Sequence, residues 1–177
     1  MLPRTDQHET FMRQALQEAR AALASGEFPV GCVLAHKDRI LARGHRRGTA
    51  DTHNEGRLFS ETDHAEIITL QRYYRASPAV ADPCELTLYS TMEPCLMCWG
   101  AILLSGIGAV VYAYEDAMGG ATALDRTQMA PLYRQRQISI IAPVLRAESL
   151  ALFKQYFQND THRYWRDSYL ARYTLDQ

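Results

Sequence analysis

The chain is built from short apolar runs whose period switches between helix and strand, separated by polar turns. Met12, Ala15, Leu16, Ala19 and Leu23 recur at intervals of three and four, the stripe of an amphipathic helix. Asp6 and Glu9 predict its start as a capping-box-like pair, and Ser25-Gly26 its end. Residues 29–35 read as a buried strand; Lys37-Asp38 turn the chain and residues 39–43 return it as a hairpin. Residues 64–74 are helical in period, with Ile67, Ile68 and Leu70 inward and Thr62 or Asp63 as cap. After a linker at 77–83, residues 86–90 alternate as a central strand. The segment after Cys98 is apolar nearly all round, which predicts a helix buried on every side and makes a subunit interface a reasonable use for it. Strands follow at 109–114 and 137–144, with a helical stretch at 124–133 between them, so that pair is predicted to be parallel. A last helix covers 147–157. The order predicts an α/β fold, a three-layer α/β/α sandwich with a five-strand mixed sheet.

Composition narrows the function classes without choosing one. At 177 residues the chain is expected to form one domain over 1–177, with 158–177 as a tail able to close a site. The formal net charge is −1 and only Lys37 and Lys154 are lysines, so no general polyanion surface is advertised, although a local patch could still bind phosphates. No apolar run reaches the ~20 residues that span a bilayer, and the first residues are too polar for a signal peptide. A cytoplasmic location is expected. Cys32 and Cys84 are expected to be buried thiols, since disulfides are rare there.

The chemistry concentrates in two segments, His64-Ala65-Glu66 and Glu93-Pro94-Cys95-Leu96-Met97-Cys98. With Pro94 opening a helix, Cys95 and Cys98 share the face of its first turn, where the macrodipole favours thiolate. A lone Cys-x-x-Cys also fits a redox pair or half of a structural zinc site. However, no second pair follows, and a redox pair leaves Pro94 and His-x-Glu unexplained. His64, Cys95 and Cys98 around zinc, with a water in the fourth position, make a catalytic arrangement. Two thiolates and a neutral imidazole leave that site formally neutral, and Glu66 is placed to handle the water's proton. From Gly44 to Asp63 the chain is polar and aperiodic, and this long loop is expected to line the mouth of the site.

These motifs resemble the cytidine deaminase-like superfamily of zinc deaminases, closest to its tRNA adenosine deaminase and nucleobase (cytosine, guanine) deaminase group. Gly26-Glu27-Phe28-Pro29-Val30-Gly31-Cys32-Val33-Leu34, His64-Ala65-Glu66-Ile67, Leu88 to Cys98, and Asp116 to Ala121 carry the likeness over roughly residues 8–157. The resemblance implies zinc on His64, Cys95 and Cys98, Glu66 as proton shuttle, and a homodimer. Substrate contacts are expected from Arg46, Asn54, Ala65, Glu93, Asp116 and Trp165. Three departures bear on the substrate. Arg46-Arg47 stands where relatives have Asn-Arg, so the recognition role of that asparagine passes to no obvious residue, Asn54 being one candidate. Ser60-Glu61-Thr62-Asp63 replaces Asp-Pro-Thr-Ala in a longer loop. The tail around Tyr164 and Trp165 is aromatic and charge-balanced, like that of fungal cytosine deaminase, where a basic helix would suit tRNA. The leading expectation is therefore a hydrolytic deaminase of a small-molecule nucleobase or nucleoside. A tRNA wobble adenosine deaminase (adenosine to inosine) is the alternative, and a non-catalytic zinc-binding partner subunit the remote one.

Overall fold

A computed structural model describes residues 5–50, 59–76 and 82–177. Five strands order as β2-β1-β3-β4-β5: β1 (Gly31–His36), β2 (Arg39–His45), β3 (Leu86–Met92), β4 (Ala109–Tyr114) and β5 (Ser139–Ile141). β1 is antiparallel to β2 and to β3, whereas β3–β4 and β4–β5 are parallel. The sheet is mixed because the hairpin folds back on itself while each later strand returns through a crossover.

Alternation along the strands divides the core in two. Val33, Ala35, Tyr89 and Val111 face one side, covered by Phe11, Met12, Ala15, Leu16 and Ala19 of α1 (Thr5–Ala24) and by Leu152 of α5 (Arg146–Gln158). Cys32, Leu34, Leu88 and Val110 face the other. There they meet Ala65, Leu70 and Tyr73 of α2 (Ala65–Arg75), and Trp99, Ile102 and Leu103 of α3 (Leu96–Ser105). The predicted α/β/α sandwich is what forms. Among the described residues, the remaining α-helices are the short α4 (Pro131–Arg134) and α6 (Tyr169–Leu175).

Several local expectations are corrected. Asp6 lies inside the first turn of α1 and does not cap it. His64 itself is the N-cap of α2, with no side-chain cap bond, so neither Thr62 nor Asp63 takes that place. Cys95, not Pro94, begins α3 as its N-cap. α3 is not buried all round: Leu96 and Leu104 are 61% and 56% exposed on its outer face. The predicted helix at 124–133 breaks into a 3-10 turn, Arg126–Gln128, and α4, because Asp125 and Pro131 each start a new turn. β5 is far shorter than 137–144. Cys84 is exposed, in the 3-10 turn Pro83–Glu85 that precedes β3. α6 has no counterpart in the expectations, since seven residues carry too little period to stand out in a tyrosine-rich tail.

One close approach fixes how α1 meets the sheet. A Cβ on Gly31 would fall 2.1 Å from the Ala15 carbonyl oxygen and 2.3 Å from the Ala19 nitrogen. Both are backbone atoms and cannot step aside. Gly31→Ala should therefore destabilise by at least the roughly 1–3 kcal/mol usual for overpacking. That loss would lower the thermal midpoint by about 2–4 °C per kcal/mol at this chain length, measurable by calorimetry. An unchanged midpoint would contradict the α1–β1 packing.

Candidate metal and catalytic site

The site lies beyond the carboxyl ends of the parallel strands β3 and β4, where α/β sheets place ligands. β3 ends at Met92 and runs through Glu93-Pro94 into the first turn of α3, which carries Cys95 and Cys98. α2 begins beside it with His64. His64 Nδ1 stands 3.5 Å from each of the two sulfurs, and all three donor atoms lie within 4.8 Å of one another. Zinc bonds of about 2.3 Å to sulfur and 2.0–2.1 Å to nitrogen give tetrahedral nitrogen–sulfur edges of about 3.5 Å. The three residues therefore fit zinc without rearrangement. They are the one such cluster among the described residues.

Electrostatics tighten this fit. The Cys95 thiol is held down to about 4, chiefly by its hydrogen bond with Cys98 and also by His64. Cys98 is pushed up by Cys95, by burial and by the Glu66 carboxylate. The metal-free pair thus keeps one proton between its two sulfurs. Burial works to lower His64, but Cys95 and Glu66 outweigh it and raise the imidazole. Glu66 is 3% exposed. Burial raises its carboxyl, partly opposed by His64 and the Ser90 hydroxyl. Ser90 donates to Oε1 at 3.0 Å, and the Cys98 thiol reaches Oε2 at 3.5 Å. A carboxyl raised in this way, two residues after His64 and against the Cys98 sulfur, is a stronger base than a solvated one and can both take and return a proton.

A narrow cavity opens over these groups. Phe28, Val30, Ala65 and Met92 form apolar walls, and Tyr164 and Trp165 reach over it from the tail. Arg46, Glu93, Asp116 and Gly119 complete the lining. Of the expected substrate contacts, Arg46, Ala65, Glu93, Asp116 and Trp165 are thus brought together, while Asn54 lies outside the described residues. Glu93 is committed elsewhere. Its Oε1 accepts from the Thr122 hydroxyl at 2.5 Å and the Thr122 N–H at 3.1 Å, and Oε2 accepts from the Asp116 N–H at 3.3 Å. It staples the 116–122 loop through both oxygens while still lining the cavity. Asp116 Oδ1 caps the same loop through Met118 and Gly119, and burial raises its carboxyl.

Sequence reasoning missed three supports. Ser90 orients Glu66. Buried Glu27 accepts from Thr49 N–H and hydroxyl and from Ala50 N–H at 2.6–2.9 Å, which shapes the loop after β2. Glu61 accepts from the Tyr164 hydroxyl at 2.9 Å, tying the loop before His64 to the tail. Only Glu27 left a trace in the sequence, an acid inside an otherwise apolar run. The open groove at the opposite end of the sheet, between Lys37, Glu85, Thr87 and Ser139, holds no comparable cluster of ligating groups.

Zinc uptake must displace the proton that Cys98 retains, and at lower pH the one on His64 as well. Affinity should therefore fall as pH falls, about tenfold per unit for each proton displaced. Competition against a chelator at pH 6, 7 and 8 reads this directly. A pH-independent affinity would mean that the sulfurs are not the ligands.

The profile for the cytidine and deoxycytidylate deaminase zinc-binding region matches residues 5–114. The tRNA-specific adenosine deaminase of Bacillus subtilis is 31% identical over 155 residues, which is 86% of this chain and 89% of that protein. The chloroplastic tRNA(adenine(34)) deaminase of Arabidopsis thaliana is 40% identical over 115 residues, a stretch that spans 64% of this chain but 8% of the much longer relative. Among solved structures, one from work on A-to-I editing by tRNA:A34 deaminases at the wobble position aligns with a TM-score of 0.66 and 30% identity over 81% of this chain and 98% of that one. The guanine deaminase of Nitrosomonas europaea aligns at 0.65 with 25% identity over 84% and 83%. With the matched region covering both metal-binding segments, this chain belongs to the cytidine and deoxycytidylate deaminase zinc-binding family.

Proposed function

We propose that the protein is a zinc-dependent hydrolytic deaminase that converts adenosine to inosine in tRNA. The carrying observation is the likeness to the Bacillus tRNA-specific adenosine deaminase along nearly the whole of both chains, joined to a donor set that fits zinc and a buried acid beside it. This reverses the order expected from the sequence, where the basic helix missing from the tail weighed against RNA. Likeness over 155 residues to a tRNA-specific adenosine deaminase outweighs the composition of a short tail.

When bound, zinc supplies an activated water at the position the three ligands leave open. The chain's own residues do the rest. Glu66 takes one proton from the attacking water and delivers it to the ring nitrogen next to the carbon under attack. It then takes the second proton, from the hydroxyl now on that carbon, and passes it to the amine, which departs as ammonia while the carbonyl forms. Ser90 keeps Oε1 in place during these transfers. Phe28, Val30 and Met92 keep bulk water off the ring.

A second reading, deamination of a free aminated base, is favoured by Tyr164 and Trp165. Their rings stack on each other with centroids 5.3 Å apart, at the cavity mouth. A lid of this kind suits a single flat ring. The outer face of α3, with Leu96 and Leu104 exposed, supports homodimer formation through that helix.

Inosine formation in an anticodon stem-loop with adenosine at the wobble position is the decisive assay, run beside ammonia release from adenine, guanine and cytosine. For RNA, affinity should fall steeply with added salt as counterion release loses its value. Ammonia from a free base, with no inosine in the stem-loop, would reverse the two readings. Glu66→Gln should retain zinc and thermal midpoint while losing at least about 10²–10⁴-fold in turnover. Retention of most activity would assign the proton transfers to another group. Leu96→Asp with Leu104→Asp should shift the protein to monomer in sedimentation; unchanged mass would move the interface elsewhere.

A further inference from the structure

Arg46 carries a hydrogen-bonding capacity that the site described so far leaves unused. It is 2% exposed, yet it lines the cavity beside His64, Ala65 and Glu66. Nη1 is occupied with the loop, donating to the carbonyls of Arg47 and Ser60. Nη2 is buried without a hydrogen-bond partner. Glu61 Oε2 stands 3.6 Å from it and is itself engaged by the Tyr164 hydroxyl. The guanidinium carbon lies 5.6 Å from the centre of the Tyr164 ring, so the group is held by charge and ring contacts while Nη2 makes no hydrogen bond. Its charge is partly met in this way, but a buried N–H that makes no hydrogen bond still has donor capacity to offer a partner from outside the fold.

We propose that Arg46 Nη2 is a specificity-determining donor that binds an uncharged acceptor, a ring nitrogen or carbonyl oxygen, on the base being deaminated. The inference rests on the deaminase reading and holds for either substrate. Guanidinium can only donate, so it selects an acceptor and rejects a ring that presents N–H or C–H at that edge. The acceptor must be uncharged because the same cavity holds the carboxyl groups of Glu66, Glu93 and Asp116 and the Cys95 sulfur, and an anionic phosphate brought among them would be repelled. Glu61 already offsets part of the guanidinium charge. A pocket that hydrogen-bonds its substrate discriminates strongly against analogues lacking the partner atom, since its own buried donor is then stranded.

The competing explanation is that Arg46 only clamps the loop. A double-mutant cycle between protein and ligand separates the two. Zinc-loaded wild type, Arg46→Met and Arg46→Lys are titrated calorimetrically with adenine, guanine, cytosine and the adenosine-bearing stem-loop. Each ligand is paired with analogues that lack one acceptor: deaza rings, 2-aminopurine for guanine, and 4-aminopyrimidine for cytosine. For the ring that binds best, one analogue should bind wild type about 10–100-fold more weakly. That difference should vanish in Arg46→Met and return in part in Arg46→Lys. A uniform loss across every ring and analogue in Arg46→Met, or a wild type indifferent to all analogues, would overturn the proposal. If Arg46→Met does not fold, Arg46→Gln replaces it, keeping one donor arm for the loop carbonyls and losing the second. Absence of inosine in the stem-loop would reject the tRNA reading while the cycle on the free bases is still read, so the two failures are distinct.

Discussion

Two sulfurs and one imidazole nitrogen must meet at one point, and most of the architecture follows from that constraint. His64 and Cys95 are N-caps of two helices that start side by side, and each helix brings a positive partial charge of roughly half a unit to its start. Parallel strands make this possible. β3 feeds α3 at the end of the sheet where β1 begins, and the crossover to β4 returns the chain beside it. Without a cation, the thiols of Cys95 and Cys98 and the carboxyl of Glu66 share one buried corner: Cys98 is pushed up by Cys95, by burial and by Glu66, and Glu66 is raised chiefly by burial. Burial makes Glu66 a stronger base than a carboxylate in water, which would hold an abstracted proton too weakly to carry it from one atom to another.

What could be read from the sequence was what is local. Alternation along 86–90 and 109–114 located the central strands, and the order of elements implied the sandwich. The ligand set and Glu66 stood in two short motifs whose spacing has a mechanical meaning. What could not be read was pairing between distant polar residues. Glu27 with Thr49, Ser90 with Glu66, and Glu61 with Tyr164 lie 22, 24 and 103 positions apart, and no periodicity links them. Caps were misplaced for a related reason. Pro94 and Asp63 are good helix starters by propensity, but the N-cap positions fall to Cys95 and His64, neither of which makes a side-chain cap bond; both side chains turn instead toward each other across the two helix starts.

The outer part of the site is held in a different way from its centre, and this bears on what can enter. α6 is anchored by buried Leu170 and Ala171, by the hydrogen bond between Tyr114 and Thr174, and by Glu115, which binds both Arg146 and Tyr173. Tyr164 and Trp165, a few residues earlier, lean on the cavity through ring contacts with Phe28 and Phe59, the Arg46 guanidinium over the Tyr164 ring, and the hydrogen bond from Tyr164 to Glu61. Glu61 is 54% exposed, so that bond contributes little beyond about 1 kcal/mol, and each ring pair adds roughly 0.5–1.5. Lifting the aromatic cover thus costs a few kcal/mol and leaves the anchored helix and the metal centre in place. A wobble nucleotide in an RNA loop can present its base unstacked, at less cost than flipping one from a duplex. A cover held at this cost is compatible with entry of a free base and with entry of a base presented by an RNA loop.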